Sequence, residues 1–184
     1  MNRVEPIRDI TTVKDIARYL KSSSDRNYIM YILGIYSGLR ISDILKLKAG
    51  DVRNKENITL RETKTRKQKT FPINYYLKKE LKRYINENNL DDNDYLIKSR
   101  NGFNNHIHRA TAYKIMREAG EKFGVENIGT HTLRKTFGYL FYMQTKDIVA
   151  LQDILNHSDP RYTLIYIGLE QKHINDKMKK FKIF

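Results

Sequence analysis

The sequence predicts a single α+β domain, mainly α-helical with one small antiparallel β-sheet. Three observations predict it. Apolar residues recur at helical spacing along most of the chain. That period breaks between Asp51 and Ile73 into short extended pieces. A chain of 184 residues with 40% hydrophobic content buries one ordinary core, and two full domains are not expected.

Taken in order, the first helix is expected to start from Thr11 or Thr12 as its cap, with Val13, Ile16, Ala17 and Leu20 on one face. The segment SSSD then forms a loop and a second cap. The second helix runs from about Arg26 to Ser37, where Tyr28, Ile29, Ile32, Leu33 and Tyr36 make a broad, deeply buried face, and Gly38 ends it. Ser42 and Asp43 begin a third helix with Ile44, Leu45 and Leu47 on its core side. Two or three small strands follow, carried by Val52, Ile58, Leu60, Phe71 and Ile73. Helical spacing returns from Tyr75 to Tyr84, and a polar loop leads to a short apolar patch, Tyr95 to Ile97. Further helices are expected over Ile107 to Phe123, stopped by Gly124, then Thr132 to Met143, Lys146 to Leu155, and a short one after Pro160. A basic amphipathic tail starts near Gln171.

Lys and Arg number 35 against 21 Asp and Glu, a formal charge of +14, which creates a field that attracts polyanions and puts nucleic acid first among partners. The absence of cysteine excludes disulfides, thiolate zinc sites and a cysteine nucleophile. The five histidines are dispersed; only His106 and His108 are close, and a two-residue step faces one way only on a strand, so no metal site is expected. The first residues lack the apolar core of a signal peptide and no later run is long enough to span a bilayer, so a cytoplasmic protein without a membrane partner is expected.

Two strings carry the chemistry. In GTHTLRKTFGYLF, His131 and Arg134 stand three apart at a helix start, so both project to one side, beside free backbone N–H groups that suit an anion. In LQDILNHSDPRYTLIYIGL, a loop after a helix carries His157, and Tyr166 lies nine residues further on. The second string resembles the C-terminal signature of the tyrosine recombinases, the phage-integrase family. Upstream, YSGLRISDILKLKAGDV is similar to the family's first motif, with Arg40 after a Gly-Leu pair. TKTRKQKTFPI is similar to its basic hairpin, with Lys64 in the lysine position and Lys67 as the alternative, because Arg66, Lys67 and Gln68 stand where the turn often carries Gly. The matches keep the family's order from about Thr11 to Leu169.

The resemblance implies a tyrosine recombinase catalytic domain, the DNA breaking-rejoining enzyme fold, over residues 1–184, with a core of about 11–169 and a tail of 170–184; in a departure from the family pattern, an N-terminal core-binding domain is expected to be absent. It implies a site-specific recombinase or integrase that cleaves and rejoins double-stranded DNA through a 3′-phosphotyrosine intermediate. A non-recombining DNA-binding accessory protein of the same fold and a type IB topoisomerase-like enzyme stay open as alternatives. Chemistry explains why such residues are needed: an attack on a phosphodiester accumulates negative charge, which two planar guanidinium forks, Arg40 and Arg134, and a donor, His157, can meet. The Tyr166 phenol, with an ordinary pKa of about 10, needs a base, for which His131 is the candidate. Lys64 supplies the proton to the departing 5′ oxygen. Arg66, Lys67 and Lys69 are expected to touch DNA phosphates, and Tyr162 to pack or touch DNA. No role falls to His106, His108 or His173, no cofactor is implied, and no carboxylate pair calls for metal ions. The family's use of four protomers suggests a homotetramer on DNA, with Ile174, Met178 and Phe181 of the tail packed either on a neighbour or on their own domain.

Overall fold

The computed structural model describes residues 4–61, 68–129, 131–169 and 178–182. It is mostly helical with one two-stranded antiparallel sheet, as the sequence predicts. Helix α1 (Ile10–Ser23) starts earlier than predicted, because Asp9 is its cap: the carboxylate accepts from the backbone N–H of Thr11 and Thr12 and from the Thr12 hydroxyl. These bonds, led by the Thr12 hydroxyl, hold the Asp9 carboxyl below its ordinary pKa.

Helix α2 (Asp25–Ser37) is the centre of the molecule. Residues Tyr28 to Gly34 are all buried, and the helix packs against α1 on one side. On its other sides lie α4 (Tyr75–Glu87) and α6 (Thr132–Thr145). Each large apolar side chain so buried contributes roughly 1.5–3 kcal/mol, which makes α2 the main stabilising element. Close approach to α6 requires a glycine: a Cβ on Gly34 would lie 2.5 Å from a methyl of Leu133. An ion network ties α4 to the first two helices, in which the buried Glu80 takes Lys21 and Arg83, and Arg83 also reaches Asp25.

Gly38 closes α2 in the left-handed conformation, with φ of 63°. A Cβ there would stand 2.4 Å from the ring of Phe137. Gly38→Ala therefore combines a backbone penalty with a clash against an aromatic ring, and it is expected to destabilise the fold by about 2 kcal/mol or more, measured by urea unfolding. After Gly38 the chain makes one extended step at Arg40 and enters the single turn α3 (Ile41–Ile44), so Leu45 and Leu47, predicted inside this helix, are buried just beyond it.

A 3-10 turn at Ala49–Asp51 leads into the hairpin of β1 (Asn57–Arg61) and β2 (Gln68–Pro72). Ile58 faces Phe71 in the register and both are buried, whereas Val52, predicted as part of a strand, is buried just after the 3-10 turn. Leu96 and Ile97, the predicted apolar patch, are fully buried beside isolated bridges from Lys48 to Tyr95 and from Lys98 to His106. Helix α5 (Arg109–Lys122) ends before Gly124, whose φ is 67°. Helix α7 (Ile148–Leu155) begins later than predicted, since Lys146 takes a left-handed turn at the end of α6 and Asp147 is the cap. Helix α8 (Pro160–Tyr166) follows its Pro and an Asp159 cap.

Two apolar clusters result. The larger surrounds α2; the smaller gathers Tyr142, Leu151, Leu155 and Ile167 between α6, α7 and α8. Helix α6 contributes Leu133 to the first and Tyr142 to the second, and so spans the seam between them.

Candidate active site

That seam is where the predicted residues meet. Arg134 is 3% exposed, and its guanidinium is tied on both terminal nitrogens: Nη1 donates to the Gly38 carbonyl and Nη2 to the Leu155 carbonyl at 2.8 Å. One side chain thus joins the end of α2 to the end of α7, and its plane is fixed by both. Arg40 stands at the N-cap position of α3, two residues past Gly38, and is half-buried.

The loop between α7 and α8 carries His157 in a fixed pose. Its backbone N–H donates to Gln152 and its carbonyl accepts from the Gln152 amide, both at 3.0 Å. Its ring Nδ1 lies 3.0 Å from the hydroxyl of Thr163, which is fully buried on α8. The imidazole edge meets the Tyr166 ring with centroids 5.0 Å apart and planes at 75°. Asn156 makes this turn possible by adopting the left-handed conformation, φ 54°.

Tyr166 is the last residue of α8. Its hydroxyl is buried and has no hydrogen-bond partner of good geometry among the described residues, although Arg134 approaches it. Burial pushes the phenol above its ordinary pKa, while the charges of Arg134 and then Arg40 act in the opposite direction. His131, at the N-cap position of α6, is exposed at the edge of an open pocket that His157 and Tyr166 also line. Partial shielding from water on its pocket side lowers its pKa, and so do the charges of Arg109, Arg134, Arg40 and Lys135. His157 is lowered by burial and then by Arg134, Arg40 and Lys69. The charges of Arg134 and Arg40 therefore reach His131, His157 and Tyr166 alike.

Five of the six candidate catalytic residues, Arg40, His131, Arg134, His157 and Tyr166, are brought together in this way. The sixth, Lys64, lies outside the described residues, as do Arg66, Lys67 and His173. Lys69 is described: its Nζ donates to the carbonyls of Asp153 and Ile154, both at 2.9 Å, so it binds β2 to the last turn of α7. Tyr162 is 63% exposed on the same pocket and does not share the burial of Tyr166. His106 meets the Tyr95 ring edge-on and His108 caps α5, which are structural contacts. Of the tail's apolar residues, Met178 and Phe181 are exposed, and Ile174 lies outside the described residues. The described residues contain no cluster of His, Asp or Glu suited to a metal ion, and no helix long and apolar enough to cross a membrane.

Three participants escaped the sequence reading. Thr163 had a weak signal, one turn before Tyr166 on the same short helix. Lys135 and Arg109 had none: beside so many exposed lysines and arginines, nothing marks a cation that turns inward or toward a histidine.

Residues 8–173 match the phage integrase family. The chain is 45% identical over 181 residues to the probable integrase/recombinase YoeC of Bacillus subtilis, covering 98% of each. It is 29% identical over 170 residues to the tyrosine recombinase XerA of Pyrococcus furiosus, where it covers 91% of this chain and only 59% of XerA. Among solved structures, XerA superposes with a TM-score of 0.77 at 24% identity, over 98% of this chain and 65% of that one. XerH in a post-cleavage complex with its difH substrate superposes with a TM-score of 0.75 at 20% identity, over 97% and 54%. A pocket of two arginines and two histidines about a sheltered tyrosine, on this fold and with this sequence match, has one reading: the chain belongs to the phage integrase family, the tyrosine-type site-specific recombinases.

Proposed function

We propose that this domain cuts and rejoins double-stranded DNA at a specific site through a covalent bond between a DNA phosphate and Tyr166. The observation that carries the reading is the convergence of Arg40, Arg134, His131 and His157 on the pocket of one buried tyrosine. Arg40 and Arg134 bind the nonbridging oxygens of the phosphodiester, and His157 adds a further donor. His131 takes the proton of the Tyr166 phenol as its oxygen attacks phosphorus. The bond to the 5′ oxygen breaks, and that oxygen leaves as a hydroxyl with a proton from Lys64. The 3′-phosphotyrosine keeps the energy of the broken ester, so attack by a 5′ hydroxyl reseals DNA and returns the proton to the site. Lys69 contributes by holding the hairpin against α7, which gives it a structural part beside any contact with DNA. XerH and λ integrase have been solved bound to DNA, which supports duplex DNA as the partner here. A tetramer on two duplexes rests on the family resemblance.

The test is a duplex with a nick placed so that the cleaved end diffuses away. Incubation should leave a protein–DNA band that survives denaturation. Binding without any such band, on DNA carrying the protein's own recombination site, would favour the accessory reading, and relaxation of supercoils without sequence preference would favour the topoisomerase.

The lowered pKa of His131 fixes the sign of the pH dependence. A base must be neutral to accept the phenol proton, and a depressed imidazole stays neutral further into acid. At subsaturating DNA, where the profile reports the free protein, the rate of adduct formation should rise with pH through a midpoint below the ordinary imidazole value of about 6.5. His131→Ala should remove that acid limb; a limb that persists would mean another group is the base.

A further inference from the structure

Among the described residues the buried cations are Arg134 and Lys135, and they are neighbours on α6. The first has a direct part in the chemistry above, and the second enters it only through its charge near His131. A lysine only 7% exposed loses most of its hydration, which is unfavourable unless the surroundings return the interaction. Lys135 Nζ donates to the Val4 carbonyl at 2.7 Å and lies 5.1 Å from the centre of the Tyr166 ring. Val4 belongs to a segment tied down at two further points. The Ile7 N–H donates to the Thr136 hydroxyl on α6 at 2.9 Å, and Arg8 donates to the Gly168 carbonyl, just past α8, at 3.2 Å. The segment therefore straps together the two helices that carry Arg134 and Tyr166.

We propose that Lys135 is a positioning residue for the nucleophile: its ammonium, pinned by the Val4 carbonyl, holds the Tyr166 ring in the pocket and favours the phenolate. This rests on Tyr166 being the nucleophile. A cation over an aromatic face is attracted to the ring's electron density, and that density increases when the phenol ionises. The other charged or titratable groups that face Tyr166 are Arg134 on the same helix, Arg40 ahead of α3, His157 in the loop before α8, and His131 and Tyr162 on the shared pocket. Lys135 itself faces Val4, Tyr166 and His131. Arg134 and Lys135 leave α6 about 100° apart, so one side chain approaches the hydroxyl and the other lies over the ring.

The test places 3-fluorotyrosine at position 166 and follows its ionisation by fluorine NMR without DNA, in parallel with adduct trapping on nicked DNA. Lys135→Met keeps the stem and removes the charge. It should raise the phenol pKa by about one pH unit and slow adduct formation about tenfold near neutral pH, with the deficit narrowing in alkali. Lys135→Arg, which keeps a cation, should restore most of both and also covers any loss of folding in the Met variant. An unmoved titration in Lys135→Met, or an equal deficit in both variants, overturns the proposal. Adducts that form normally on Tyr166 while the titration stays put would sink this role alone. A titration that moves in a protein that never forms adducts would sink the recombinase reading and with it any role toward a nucleophile, leaving only the coupling of the Lys135 charge to the Tyr166 ring.

Discussion

Tyr166→Phe should abolish the trapped DNA adduct, with a loss of about 10⁴-fold or more, as when a covalent nucleophile is deleted, and leave the fold untouched. The substitution removes one oxygen and keeps the ring. The ring makes the packing contacts: it meets the edge of His157 and lies under Lys135. The hydroxyl is buried without a well-formed hydrogen bond among the described residues, and the Arg134 guanidinium that approaches it is also held by the Gly38 and Leu155 carbonyls, so deleting it leaves that cation paired and relieves a desolvated polar atom. The unfolding midpoint should therefore stay level or rise slightly, and affinity for DNA should hold within about twofold, because binding draws on phosphate contacts elsewhere. Tyr162→Phe is the control and should trap DNA like the parent, since that side chain is exposed at the pocket rim. Adduct that persists in Tyr166→Phe and disappears in Tyr162→Phe would exchange their roles.

What was legible beforehand follows a physical division. Helical period and cap residues are local, and they located the α-helices α1 to α8 to within a turn or so; α1 moved because Asp9, a stronger cap than either threonine, accepts from the backbone two and three residues ahead. The spacing from His157 to Tyr166 was legible because one short helix and its cap loop fix the distance between them. Interactions spanning the chain left no trace. The bond from Lys69 to α7 joins residues 84 and 85 positions apart, and in the sequence Lys69 is one more member of a basic run. Lys135 looks like a surface lysine until the fold sets it beside the Tyr166 ring and the segment at Val4. A basic composition hides its inward-facing cations, because charge is counted along a sequence but burial is decided by tertiary contact. The part of the hairpin with Lys64 lies outside the described residues, so its role as proton donor still rests on the resemblance.

Arg134→Lys should behave differently from Tyr166→Phe, since it should cost both chemistry and stability. The arginine reaches two carbonyls, on Gly38 and Leu155, while directing its charge toward Tyr166. A lysine presents a single ammonium on a flexible stem and cannot satisfy two carbonyls on different elements and a phosphate together. Adduct formation in single turnover should fall about 10²- to 10³-fold, the usual effect of losing a preorganised donor to a developing oxyanion. Urea unfolding should show a loss of roughly 1–3 kcal/mol, the penalty for leaving a buried acceptor unpaired. Arg134→Ala, which strands both carbonyls, should lose more. The two losses should be separable by Gly38→Ala: it disturbs the carbonyl that holds Nη1 while keeping the guanidinium, so it should lower stability and slow cleavage less than Arg134→Lys does. Equal cleavage defects in these two variants would mean that Arg134 acts mainly as a brace between α2 and α7, and that the charge stabilising the phosphate comes chiefly from Arg40.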